Sequence, residues 1–149
     1  MTQHDELISV LNEAVSLEYT AAIHYNQHST LLTGRDRQLF EDLFKEQAEE
    51  ALAHAKRWSD RIVYLGGVAK VQVQGITQSV DTIEMLEMAL EIEKRALDTY
   101  TRAHKVCKHE PTLYMLENQI VDEDSDVERL TKLLGRVQVA QQGTKRPAA

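Results

Sequence analysis

The chain has 149 residues, 42% hydrophobic and 28% charged, with only six glycines and two prolines. That length suits one domain with a sizeable core, and that composition is poor for a β-sandwich or a disordered chain. A net charge of −7 speaks against a nucleic-acid partner and for attraction of cations, while the single cysteine, Cys107, rules out an internal disulfide and fits a reducing compartment.

The opening residues, MTQHDELISV, lack the basic start and apolar run of a signal peptide, and no stretch is apolar for long enough to span a membrane. The expected location is the cytoplasm, with no membrane partner. The first predicted helix runs from about His4 to Thr33, with Leu7, Leu11, Ala14, Leu17, Ala21, Tyr25 and Leu32 near one stripe. Thr33-Gly34-Arg35-Asp36 reads as a short turn, with Gly34 a left-handed cap and Asp36 the next N-cap. The second helix continues to about Leu65 and stops at Gly66-Gly67. VAKVQVQGITQS follows without helical period and reads as an extended crossover. The third helix opens near Ser79 or Asp81 and runs to about Lys108. Pro111, favoured at a first helical position, opens a fourth that ends near Leu134 and Gly135.

Short links make each helix pair an antiparallel hairpin. At ~3.3 Å per extended residue, the middle link can span a helix of about 30 residues rising 1.5 Å each. The prediction is an all-α four-helix bundle over residues 1–135, with one long crossover between helices two and three, and a short flexible tail at 136–149.

Polar residues interrupt the apolar stripes at one height. Glu18 lies between Ala14 and Tyr25 on the first helix. On the second, the stripe Leu43, Gln47, Glu50/Ala51, His54, Trp58, Ile62, Leu65 turns Glu50 and His54 inward. The third places Glu93 between Leu90 and Leu97, and the fourth places Glu123 between Ile120 and Val127, with Asp126 one turn on. Four helices converging on acids leave a costly uncompensated charge in a dry core unless a cation is held among them. A bundle with one Glu from two helices and Glu-x-x-His from the other two is a known design for a pair of iron or manganese ions.

Over roughly residues 5–135 the sequence resembles the bacterioferritin branch of the ferritin superfamily, so the expected architecture is a ferritin-like bundle. LNEAVSLEYTAAIHYNQH resembles the family's first-helix stretch with its Glu ligand, an inward Tyr and a His, which fall on Glu18, Tyr25 and His28. HAKRWSDRIVYLGG resembles the second-helix ending that begins at the ligand His54. LEMALEIEKRA places the third-helix ligand at Glu93; the alternative Glu91 would bury Arg95, Asp98 and Arg102. ENQIVDEDSDVERL puts the bridging acid on Glu123. Three positions depart from the pattern. Ala51 stands where the family has the second-helix Glu. Glu50, one position earlier, either ligates through a rotated side chain or is a surface acid. Asp126 replaces a histidine, and Leu52 replaces the haem-ligating methionine, so no haem is expected.

The resemblance implies an iron-binding subunit of a closed homo-oligomeric shell, of 24 or 12 copies, that oxidises Fe(II) with O2 or peroxide and stores the product. In it Glu18, His54, Glu93 and Glu123 act in catalysis; Glu18 and His54 hold one iron and Glu93 and Asp126 the other. Glu123 bridges, with Glu50 a possible second bridge. Alternatives from other classes are a non-catalytic or degenerate metal-binding relative, a small di-metal oxidase with an organic substrate, and a starvation-type DNA protector, against which the inward set on all four helices argues. The remaining candidates have plainer readings. Tyr25 is a core tyrosine bonded to a carboxylate, and His24 and His28 are surface or interface histidines rather than a second site. His104 is a satisfied core histidine, Cys107 a small buried hydrophobe, and Met85 and Met88 packing; Lys145-Arg146 is too slight for DNA.

Overall fold

In the computed structural model, which describes residues 2–136, the element order is α1 (Asp5–Leu31), α2 (Gly34–Tyr64), α3 (Thr82–Val106) and α4 (Glu110–Leu133), with no strand among the described residues. The expected tail, with Lys145-Arg146, lies outside them from residue 137 onward. The bundle predicted from periodicity is the one observed. Contacts along α1 at Glu13, Glu18 and Tyr25 meet α3 at Arg102, Tyr100 and Glu93 in turn, so the two helices run antiparallel.

Helix ends follow local chemistry. Asp81 caps α3 by accepting from the Glu84 backbone N–H at 2.9 Å, and Pro111 sits in the first turn of α4. The turn between α1 and α2 differs from expectation. Gly34, at φ 61°, reverses the chain within two residues, so α2 restarts there and Asp36 falls inside its first turn. Asp36 instead accepts from Thr82 Oγ1 at 2.6 Å and ties this turn to the start of α3. After α2, Gly66 takes φ 91°, and Gly67 lies so close to Ile8 that a Cβ would come within 2.8 Å of two of its carbons.

Residues 65–81 form the crossover, which runs parallel to α1 and is fastened to it by side chains. Asn12 Nδ2 donates to Val68 O (3.1 Å), and Asn12 Oδ1 accepts from Lys70 N–H (2.7 Å). Ser16 Oγ accepts from Gln72 N–H (3.1 Å), Thr20 Oγ1 from Gln74 N–H (3.4 Å), and His28 Nε2 from Ser79 N–H (3.1 Å). Eight helical residues advance about 12 Å and four extended residues about 13 Å, so one turn of α1 keeps step with every second strap amide.

The core is split. One apolar cluster gathers Leu7, Leu11, Ala14, Trp58, Ile62, Tyr100 and Leu116 near one end. A second gathers Ala21, Tyr25, Phe44, Ala51, Leu86, Leu90 and Leu130. On every helix a buried polar residue lies between the clusters: Glu18, His54, Glu93, and Glu123 with Asp126.

Candidate metal centre

Each helix delivers its polar residue because that position continues an apolar stripe. Glu18 follows Ala14 by one turn, His54 precedes Trp58 by one turn, and Glu93 follows Leu90 by three residues. On α4 the inward set is Thr112, Leu116, Gln119, Glu123, Asp126 and Leu130. Ile120 and Val127, expected on that stripe, are only partly buried against its flanks. This turns Asp126 inward.

The layer contains two overlapping groups. Glu18, His54 and Glu123 each offer one ligand atom within 4.8 Å of the others, and so do Glu93, Glu123 and Asp126. Glu123 belongs to both. His54 Nδ1 stands 3.4 Å from Glu18 Oε1 and 3.7 Å from Glu123 Oε1, while its Nε2 stands 3.7 Å from Glu50 Oε1 on the outer side. Glu50 is half-exposed, takes a bond from Gln47 Nε2 at 3.2 Å, and groups with His54 and Asp122 rather than with Glu93 or Glu123. Glu91 points to solvent. Ala51 is buried in the apolar cluster next to the layer, and Leu52 lies half-exposed on the outer face of α2.

Neutral side chains hold the acids in place. Tyr25 donates to Glu93 Oε1 at 2.8 Å, and Tyr100 donates to Glu18 Oε1 at 2.7 Å. Gln119 is fully buried. Its Oε1 accepts from Trp58 Nε1 (3.0 Å) and Arg57 (3.4 Å), which fixes its Nε2 as the end that donates to Glu123 Oε1 (3.1 Å) and faces His54 Nδ1 (3.2 Å). Sequence reasoning missed Gln119 and the Tyr100 bond, since a Gln or Tyr on an inward stripe reads as ordinary packing and the partners lie on other helices or one turn away.

Burial, then the charge of Glu93, pushes the Glu18 carboxyl up to about 8. Burial, then the charge of Glu18, pushes Glu123 up to about 9. Burial also lifts Glu93 well above the ordinary carboxylate range. Asp126 is raised by burial against the opposing pull of Arg129, whose Nη2 donates to Asp126 Oδ1 at 3.1 Å. Burial lowers His54, so it stands as the neutral imidazole that ligation requires. Arg129 reaches only the rim of the layer. Glu123 Oε2 is the one buried side-chain oxygen or nitrogen among the described residues without a hydrogen-bond partner. Several carboxyls, one neutral imidazole and an orphaned buried oxygen fit a hard or borderline divalent or trivalent cation.

The other candidates settle as packing or surface groups. His24 and His28 are buried, not surface, histidines. His24 Nε2 donates to Met85 O (3.1 Å), and His28 Nδ1 donates to His24 O (2.9 Å), while its Nε2 takes the strap bond to Ser79, so no lone pair of His28 is left for a metal. His104 is not in the core: it lies past Ala103, the last buried position of α3, and meets Glu117 Oε1 at 3.3 Å. Cys107 is half-buried at the end of α3, its thiol against His109 O. Met85 is core and Met88 half-buried. No helix among the described residues is long and apolar enough to cross a membrane.

A four-helix bundle whose core is divided at mid-height by a carboxylate–histidine layer defines the class of carboxylate-bundle proteins. Residues 8–139 match the family described as Ferritin-like domain, and the chain belongs to that family. It is 29% identical over 129 residues to a bacterial ferritin of Neisseria meningitidis, covering 86% of this chain and 82% of that one, and equally to one of Neisseria gonorrhoeae. Among solved structures it resembles a ferritin-like diiron-carboxylate protein of Bacillus anthracis (TM-score 0.85, 30% identity, 90% of this chain and 99% of that one). It also resembles the bacterioferritin of Rhodobacter capsulatus (TM-score 0.74, 25% identity, 91% and 87%), described with a metal-free dinuclear site and haem iron. A dodecameric thioferritin of Bacteroides fragilis shares the fold (TM-score 0.81, 23% identity, 90% and 87%).

Proposed function

We propose that the chain binds two iron ions in the buried layer, oxidises Fe(II) there with O2 or peroxide, and passes the ferric product to storage. The observation that carries this reading is the pair of overlapping groups with Glu123 common to both and its Oε2 free of any other partner. Glu18 and His54 hold the first ion, Glu93 and Asp126 the second, and Glu123 lies between them. Glu50 takes no part as a bridge, because its carboxylate is on the far side of His54. Hard carboxylate oxygens favour Fe(III) over Fe(II) and so assist the oxidation. With O2, each of two Fe(II) ions gives up one electron, and the oxygen leaves as hydrogen peroxide with two protons.

The subunit works in a closed homo-oligomer, a reading supported by the likeness to a thioferritin described as dodecameric. Leucine has no ligating atom, so position 52 offers no haem ligand. A second reading, one tight ion and no oxidation, is favoured by Ala51 and by Arg129 on Asp126, which together weaken the second position.

Anaerobic Fe(II) titration of metal-free protein followed by air decides between them. Two ions per subunit and a fast ferric absorbance, both lost in Glu18→Ala and His54→Ala, support a working oxidation centre. One ion, with oxidation no faster than in buffer, rejects it in favour of the second reading.

A further inference from the structure

The two nitrogens of His54 face different carboxyl groups, and the Gln119 amide nitrogen lies between them, 3.2 Å from Nδ1 and 3.5 Å from Nε2. Nδ1 faces Glu18 and Glu123 inside the bundle, and Nε2 faces Glu50 toward the surface. On that outer side Glu50, His54 and Asp122 each offer one ligand atom within 4.8 Å of the others. Asp122 is exposed and makes no hydrogen bond or ion pair among the described residues. Gln47 holds Glu50 by Oε2, which leaves Oε1 turned to the imidazole. The neighbouring guanidinium groups make their hydrogen bonds to other residues, Arg129 to Asp126 and Arg57 to Gln119, while their charges still reach Glu50 and His54 respectively.

We propose that Glu50, Asp122 and the Nε2 edge of His54 form an outer divalent-cation site that loads the buried layer by a hand-off through one imidazole. This inference rests on the inner position proposed above and adds the route by which it fills. A neutral imidazole has one lone pair, so His54 ligates outward or inward but not both ways at once. With a cation outside on Nε2, the ring proton sits on Nδ1, nearest Glu18 Oε1 at 3.4 Å, and Gln119 Nε2 gives up its approach to Nδ1 while keeping its bond to Glu123. With the cation inside on Nδ1, the proton sits on Nε2, with Glu50 Oε1 3.7 Å away. Each ring nitrogen therefore has a carboxyl group of its own within 3.4–3.7 Å. Filling the inner position withdraws the nitrogen ligand from the outer one, which empties toward solvent or toward the next vacancy. The absence of a carboxylate at Ala51 suits this arrangement, because the α2 acid that a bridge would use stands instead at Glu50, outside the ring.

Zn(II), which does no redox chemistry, tests the site in the full-length assembled protein. Crystals of Glu18→Gln soaked in Zn(II) are expected to show anomalous density between Glu50, Asp122 and His54 Nε2. That density should be lost in Glu18→Gln/Asp122→Asn, with calorimetric Zn(II) affinity falling about tenfold or more. In wild-type protein, Asp122→Asn should slow inner loading from dilute Co(II), followed by its visible absorbance, without lowering the final inner occupancy. An ion at the inner triad of the wild type but none at the outer triad of any variant overturns the hand-off and leaves the proposed function standing. Empty density at both triads overturns both.

Discussion

Raising the pH of the metal-free protein should destabilise it, contrary to the usual behaviour of carboxylates in folded proteins. Glu18 is raised from 4.5 to about 8 and Glu123 from 4.5 to about 9, chiefly by burial. A carboxyl whose native value is raised adds stability that is fully present below the unfolded value. That stability is lost as the pH climbs through the native one. Between pH 6 and pH 8 the native layer thus keeps one to two protons that the unfolded chain has released. The slope is then about −1.4 to −2.7 kcal/mol per pH unit, or roughly 3–5 kcal/mol across the interval. A loss of that size is a large share of the ~5–15 kcal/mol that holds a typical domain folded. Denaturant unfolding in chelator at pH 6, 7 and 8 measures it directly. Saturating Zn(II) should flatten or reverse the slope, because a bound cation keeps its carboxylates ionised. Stability that is level or rises from pH 6 to 8 in chelator would refute the argument that these acids are buried without a compensating charge.

Gln119→Leu should leave the Trp58 indole N–H and Glu123 without their amide. It should cost about 1–3 kcal/mol by thermal unfolding and weaken Zn(II) binding about 10–100-fold by calorimetry; unchanged affinity would remove Gln119 from the site. Ala51→Glu places a further carboxyl beside the layer, at a position 4% exposed. It should lower metal-free stability by several kcal/mol, about the cost of an unpaired buried polar group, while tightening the second ion in an anaerobic Fe(II) titration. Asn12→Ala removes both bonds to Val68 and Lys70, and should cost about 1–2 kcal/mol and raise amide exchange across 68–74 before it does so elsewhere.

Helical periodicity made most of this legible. Glu18, His54 and Glu93 sit where an apolar residue would continue the stripe, and a charged residue in such a place announces either a partner or a ligand. Asp126 was harder, since Ile120 and Val127 offered a more apolar face for α4; the observed rotation brings Gln119 and Asp126 inward and lets both aliphatic residues pack at the flanks. Glu50 was ambiguous because i,i+4 spacing fixes a helix face but not the side of His54 on which a flexible carboxylate lies. The histidines of α1 were misplaced because their partners, Met85 O and Ser79 N–H, are backbone groups more than 50 residues away, which no side-chain pattern records. The Val-Gln alternation of the crossover was visible, but its matching stripe of Asn12, Ser16 and Thr20 gains meaning only when strap and helix lie side by side.

That fastening imposes a rule of parity on the chain. The strap presents every second amide, at Lys70, Gln72 and Gln74, to a hydroxyl or amide spaced one turn apart on α1. Deleting a single residue within 70–74 turns the bonded amides outward and forfeits the bonds beyond the deletion together. Deleting two keeps the same amides facing α1 and slides the strap by one turn, so Ser16 and Thr20 still find donors. Length changes in this link are therefore tolerated in steps of two, and a frame of odd length selects against itself through folding, before any ion is bound.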